Sequence, residues 1–62
     1  MIKHELILQA QDGQNWNELE RFPTSSRYLL TKKQRNALNE LKYAYESENV
    51  KTRIIKRREI VK

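Results

Sequence analysis

Nine residues in regular alternation, Ile2 to Ala10, lead into Asp12-Gly13, and this junction constrains the fold more than any other part of the chain. Ile2, His4, Leu6, Leu8 and Ala10 fall on one side of the alternation, with Lys3, Glu5, Ile7 and Gln9 on the other. That is the period-two pattern of a strand with one buried face. Asp12-Gly13 is the strongest short hairpin signal, because both turn positions can require positive φ and glycine has no Cβ to oppose it. A first strand, a tight turn and a returning strand are therefore expected near the start of the chain.

The second strand, expected from about Asn15 to Phe22, breaks the pattern of the first. Trp16, Leu19 and Phe22 recur at every third residue, where a flat strand would place apolar residues at every second. A bulge near Asn17 or Glu18 would reconcile them, at the cost of one unpaired position. Without a bulge, either Leu19 or the Trp16/Phe22 pair points away from the core. Pro23 has no N–H to give to a ladder and is expected to end the strand. Thr24-Ser25-Ser26 then forms a polar connector.

Thr31 followed by Gln34 has the spacing of a capping box, so a helix is predicted from Lys32 to about residue 47. Gln34, Ala37, Leu38, Leu41, Ala44 and Tyr45 line one face at helical spacing, with Leu30 on the same side. Tyr43 falls opposite them and should be exposed. Asn49 suits the left-handed conformation that closes a helix. From Val50 to about Ile60 the β-branched residues Val50, Thr52, Ile54, Ile55 and Ile60 mark a terminal strand. The whole of 1–62 then reads as one small α+β domain of order β-β-α-β, with a hairpin over about 2–22, a helix over about 32–47 and a basic strand over about 50–60. A helix of that length returns the chain to the far end of the sheet. The third strand then runs antiparallel to the first and parallel to the second. The first strand, as the most apolar, is placed centrally, giving a three-stranded sheet of order 2-1-3 with the helix on one face.

Composition limits how such a domain is stabilised. Hydrophobic residues make up 37% of the 62 and charged ones 34%, and there is no cysteine. A single core of this size rarely supplies more than about 3–5 kcal/mol, and no disulfide or thiolate–metal site can add to it. Stability must come from one well-packed helix–sheet layer, or from association with a copy or a partner. The first residues carry charges and no extended apolar run, so no signal peptide is expected, and Leu6-Ile7-Leu8 is too short to span a membrane. The chain reads as soluble and cytoplasmic, with no membrane partner.

Residues for catalysis are scarce. His4 is the only histidine and sits in the alternation beside Leu6, where a strand histidine near the rim is expected. A general base needs a nucleophile and an orienting partner, and Ser25 and Ser26 lie in a segment without the glycines of a nucleophile turn. The glutamates have no calcium- or magnesium-loop spacing, and one glycine cannot build a phosphate-cradling loop. No catalytic residue, metal site or cofactor is expected, and the chain is read as non-enzymatic.

Charge points to binding. The net charge is +5, and six of the thirteen Lys and Arg residues, Lys51, Arg53, Lys56, Arg57, Arg58 and Lys62, fall in the terminal segment. A basic terminal strand either guards a sheet edge against unwanted pairing or contacts an anionic partner. If Leu6, Leu8 and Ile54 face the helix, the open face carries Ile7 and Ile55, surrounded by Glu5, Lys51, Arg53 and Arg57. Apolar centres ringed by charge resemble a protein-binding surface, and an exposed Trp16 would be its best anchor. The alternative is phosphate contact by Lys51, Arg53, Lys56, Arg57 and Arg58, joined by Lys32, Lys33 and Arg35 at the helix start. The RNA-binding sheets that stack bases use aromatic side chains on their central strands, and the first strand has none. Pairing of terminal edge strands into a homodimer is compatible with either partner.

An apolar strand, Asp12-Gly13, Trp16, a second strand ending in Phe22, an amphipathic helix and the Arg-rich TRIIKRREIV together resemble small accessory proteins encoded by bacteriophages and other mobile elements. The resemblance implies a protein that modulates or inhibits a host macromolecule by binding it in the host cytoplasm, without catalysis. It supplies no target and no site residues.

Overall fold

In a computed structural model, which describes residues 1–61, the chain forms β1 (Ile2–Asp12), β2 (Asn15–Thr24), α1 (Lys32–Glu46) and β3 (Thr52–Ile60). Lys62, counted above with the basic terminal residues, lies outside the described residues. The three strands form one sheet of order β2-β1-β3, with β1 antiparallel to both neighbours, as expected.

The hairpin turn falls one residue later than expected. Asp12 still pairs with Asn15, so Gly13 and Gln14 are the two turn residues. Of these only Gly13 has positive φ, at 64°. A first turn position with positive φ is the type II′ pattern, which needs one glycine and leaves Asp12 in ordinary strand conformation.

The irregularity of β2 lies between Glu18 and Glu20. Leu8 pairs with Glu20 and Gln9 with Glu18, which leaves Leu19 as the extra residue. The bulge expected near Asn17 or Glu18 is thus one residue further on. It allows Leu19 and Phe22 to share the helix side, where both pack with Leu8 and Leu38. Trp16 pairs with Gln11 and remains on the opposite side. Nor does Pro23 end the strand. It pairs with Glu5 on the outermost strand, where its lack of an N–H can be directed to solvent without breaking the ladder. Its carbonyl accepts a hydrogen bond of 2.8 Å from Gln34 Nε2.

That bond fixes the start of α1. Gln34 Oε1 accepts from the Thr31 N–H at 2.9 Å while Thr31 Oγ1 accepts from the Gln34 N–H at 3.1 Å, the reciprocal capping box read from the sequence. At the other end Asn49 has φ 65°, and the Val50 N–H reaches back to Tyr45 O at 3.1 Å, a left-handed closure that redirects the chain into β3. Glu46 accepts from Thr52 Oγ1 at 2.9 Å and joins the end of α1 to the start of β3.

The helix buries a narrower stripe than predicted. Leu38 is buried; Gln34, Leu41, Lys42 and Tyr45 are half-buried; Ala37 and Ala44 are exposed. Alanine side chains at the margins are too short to reach the sheet. Lys42 pairs through its ammonium with Glu46 at 3.8 Å, one turn further along the helix. Tyr43 is exposed, as expected from its phase. The centre of the core is Leu8, Phe22 and Leu38, with Leu19, Leu30 and Leu41 around it. This core lies over β1 and β2 and does not extend fully across β3, where Ile54 remains 44% exposed on the helix side. The Cα extents of 38 × 28 × 13 Å describe one sheet with one helical layer. Among the described residues no helix is long and apolar enough to cross a membrane.

Candidate interaction surface

Strand alternation divides the terminal basic residues between two faces. Opposed residues of an antiparallel pair project to the same side, so Arg53, Ile55 and Arg57, paired with Gln9, Ile7 and Glu5, lie on the helix-free face. Lys56 and Arg58, paired with Leu6 and His4, lie on the helix side. The five cations expected to act together on phosphate therefore do not form one surface. Lys51 precedes β3 and joins the ladder through its carbonyl, which accepts from the Gln11 N–H at 2.8 Å.

The centre of the helix-free face is closed by its own side chains. Ile7, expected to be an exposed apolar centre, is only 4% exposed, and Glu5 beside it only 3%. Arg21 lies over this region, with its Nε on Glu18 at 2.7 Å and a terminal nitrogen 3.7 Å from Glu5. Glu18 and Arg21 are three apart, a spacing that a regular strand would divide between opposite faces. The bulge at Leu19 restores them to one face. The hydrogen bond from Arg21, and then its charge, holds the Glu18 carboxyl below the ordinary glutamate range. Ile55, half-buried, is the apolar residue that remains partly accessible here.

Trp16 is half-buried at the hairpin end of the same face. The Arg53 guanidinium reaches across β1 and stands 4.2 Å from the centre of its ring, while Arg53 Nε donates to Gln9 Oε1 at 2.8 Å. An open recess of about 470 Å³ borders this end, lined by Trp16, Glu46, Asn49, Val50, Lys51 and Thr52.

On the helix side, the loop before α1 brings Tyr28 over the end of the sheet. Tyr28 has φ 58°, an uncommon conformation for a bulky residue. Its ring meets His4 edge-on at 5.3 Å, and Lys56 Nζ lies 5.5 Å from the ring centre. His4 Nδ1 is buried with no hydrogen-bond partner. Among the described residues, Lys56, Arg57 and Arg58 form no ion pair, and Lys32, Lys33 and Arg35 are exposed.

Two participants are absent from the sequence reading. Arg21 was hidden because its partnership with Glu18 depends on the bulge position. Tyr28 was hidden because no residue type near it signals a left-handed backbone. Among the described residues no group of three or more His, Cys, Asp or Glu side chains is arranged to hold a metal ion. No protein-family model, curated protein or solved structure matches the chain.

Proposed function

We propose that this chain is a non-enzymatic binding protein that acts through protein–protein contact, a modulator or inhibitor of a host macromolecule of the phage-encoded kind its sequence resembles. The observation that carries this proposal is the mixture of charges on the helix-free face. Glu5, Glu18 and Glu59 are interleaved there with Arg21, Arg53 and Arg57, and Arg21 is already bound to Glu18. Carboxylates within a face meant for phosphate would repel it, whereas alternating charges around Ile55 and Trp16 suit a protein surface.

Phosphate binding is the second reading, supported by the consecutive exposed Lys56, Arg57 and Arg58. The two readings separate by salt and by mutation. Affinity capture from a bacterial lysate should retain a protein partner after nuclease treatment, and Trp16→Ala or Ile55→Ala should weaken its retention. If duplex DNA is the partner, affinity should instead fall steeply with salt, at about −0.9 in logarithmic slope for each phosphate neutralised. Binding to a DNA duplex that is salt-steep, lost in the Arg57→Gln/Arg58→Gln variant and indifferent to Trp16 and Ile55 would replace the protein proposal.

A further inference from the structure

We infer that the outer edge of β3 receives an extended acidic segment of a partner protein, which adds to the sheet as a fourth strand. This rests on the protein-binding function proposed above and specifies its geometry.

The two edges of the sheet differ. The β2 edge is broken by the extra residue Leu19 and contains Pro23, which has no N–H. Both features oppose further pairing. The β3 edge runs nine residues, Thr52–Ile60, without proline, glycine or a shift of register against β1.

The orientation of its backbone groups follows from two hydrogen bonds. The Gln11 N–H donates to Lys51 O at 2.8 Å and the Val61 N–H to Met1 O at 2.8 Å. The intervening register is unbroken, so the odd-numbered residues of β3 direct their backbone groups to β1. In an antiparallel ladder the alternate residues direct theirs outward. Thr52, Ile54, Lys56, Arg58 and Ile60 therefore present N–H and C=O groups to the free side. β3 is the outermost strand on that side, and among the described residues no turn, loop or cap backbone hydrogen bond engages them.

The side chains select the occupant. Arg53, Lys56, Arg57 and Arg58 against Glu59 give the strand a net charge of +3. A second copy would bring the same charge to about 4.8 Å, the spacing of paired strands, where opposed like charges destabilise. The charges that keep a copy away attract an acidic strand. Because Lys56, Arg57 and Arg58 are consecutive and so project to both faces, the matching segment carries consecutive acidic residues, not alternate ones. Ile54 and Ile55, accessible on opposite faces, call for apolar residues beside that acidic run. Backbone pairing supplies affinity and alternate side chains supply specificity, as in other strand-addition complexes.

The test is selection of decapeptides from a random display library against the whole protein, followed by NMR titration with a synthetic copy of the enriched peptide. The expected peptides lack proline and carry an acidic run flanked by apolar residues. Their binding should slow amide exchange at Thr52, Ile54, Lys56, Arg58 and Ile60. N-methylation of alternate peptide residues, which leaves this protein unaltered, should cost about tenfold or more in affinity in the registers that remove pairing N–H groups. Lys56→Pro should weaken binding beyond Lys56→Gln, since the proline removes an outward N–H and no bond to β1. Enriched peptides that shift Trp16 and Ile55 but leave those five amides unprotected would overturn the strand addition and leave the protein-binding function standing. An absence of enriched peptides, with salt-steep binding of a short DNA duplex, would overturn both.

Discussion

Arg53 and Trp16 face each other across the central strand, the guanidinium carbon 4.2 Å from the ring centre, although one belongs to β3 and the other to β2. The contact joins the two edges of the sheet on the face that α1 does not cover. A cation over an aromatic face at a partly exposed site contributes about 0.5–1 kcal/mol, and the bond that Arg53 Nε donates to Gln9 Oε1 fixes the guanidinium in place. Arg53→Ala should therefore destabilise the fold by about 1 kcal/mol in chemical unfolding. It should also alter the emission of Trp16, the only tryptophan. Unchanged emission would show that the pair does not persist in solution.

Gly13 is expected to resist valine. Its φ is +64°, and a Cβ built there meets no atom within 4 Å, so backbone conformation alone determines the cost. The first position of a type II′ turn suits glycine and opposes a residue with a Cβ, most of all a β-branched one. Gly13→Val should lower stability by about 1–3 kcal/mol. An unchanged melting midpoint in that variant would contradict the turn geometry.

Burial along α1 predicts another ranking. Leu38→Ala should be the most damaging helix substitution, at about 2–5 kcal/mol, because Leu38 is the buried helix residue that meets Leu8 and Phe22. Leu41→Ala should cost less, and Tyr43→Ala almost nothing, with 76% of Tyr43 exposed. Greater damage from Tyr43→Ala than from Leu38→Ala would place the wrong face of the helix on the sheet.

Much of this architecture was legible because local signals agreed with one another. The alternation of β1, the Thr31–Gln34 box and Asn49 each specify a conformation within a few residues, and each has a single low-energy solution. The candidate surface was less legible because it depends on register. The position of one extra residue decides that Leu19 joins Phe22 on the core side, that Trp16 does not, and that Glu18 meets Arg21. Exposure of Ile7 was misjudged for a related reason. Whether a residue on an uncovered face is accessible depends on whether long neighbouring side chains extend over it. The consecutive cations of β3 suggested one surface, but the period of a strand assigns them to two.

The pair formed by Glu18 and Arg21 gives a pH dependence of known sign. The Arg21 hydrogen bond, followed by its charge, lowers the folded-state pKa of Glu18 beneath its unfolded value. The associated stabilisation is complete above the unfolded value and is lost as pH falls through the folded one. Arg21→Gln should return the Glu18 titration, followed by carboxyl NMR shifts, to the ordinary glutamate range and flatten the acid limb of stability. A Glu18 titration identical in both proteins would mean that the 2.7 Å bond is not maintained in solution.

The bulge itself can be tested by removing residues one at a time. Deletion of Glu20, which is exposed, would place Leu19 directly opposite Leu8 and leave Glu18 opposite Gln9 and Phe22 opposite Leu6, so every other side chain keeps its face. That variant should fold and stay within about 1 kcal/mol of the parent, the range of a surface change that removes no core group. Deletion of Asn17 shortens the same strand equally but retains the extra residue at Leu19. It would turn Trp16 towards the helix side and place it opposite Ala10, since a one-residue slip reverses the faces of all residues beyond it. The second variant should therefore lose the Arg53 contact, show altered Trp16 emission and melt well below the first. Equal stability of the two deletions would mean that the extra residue of β2 is not at Leu19.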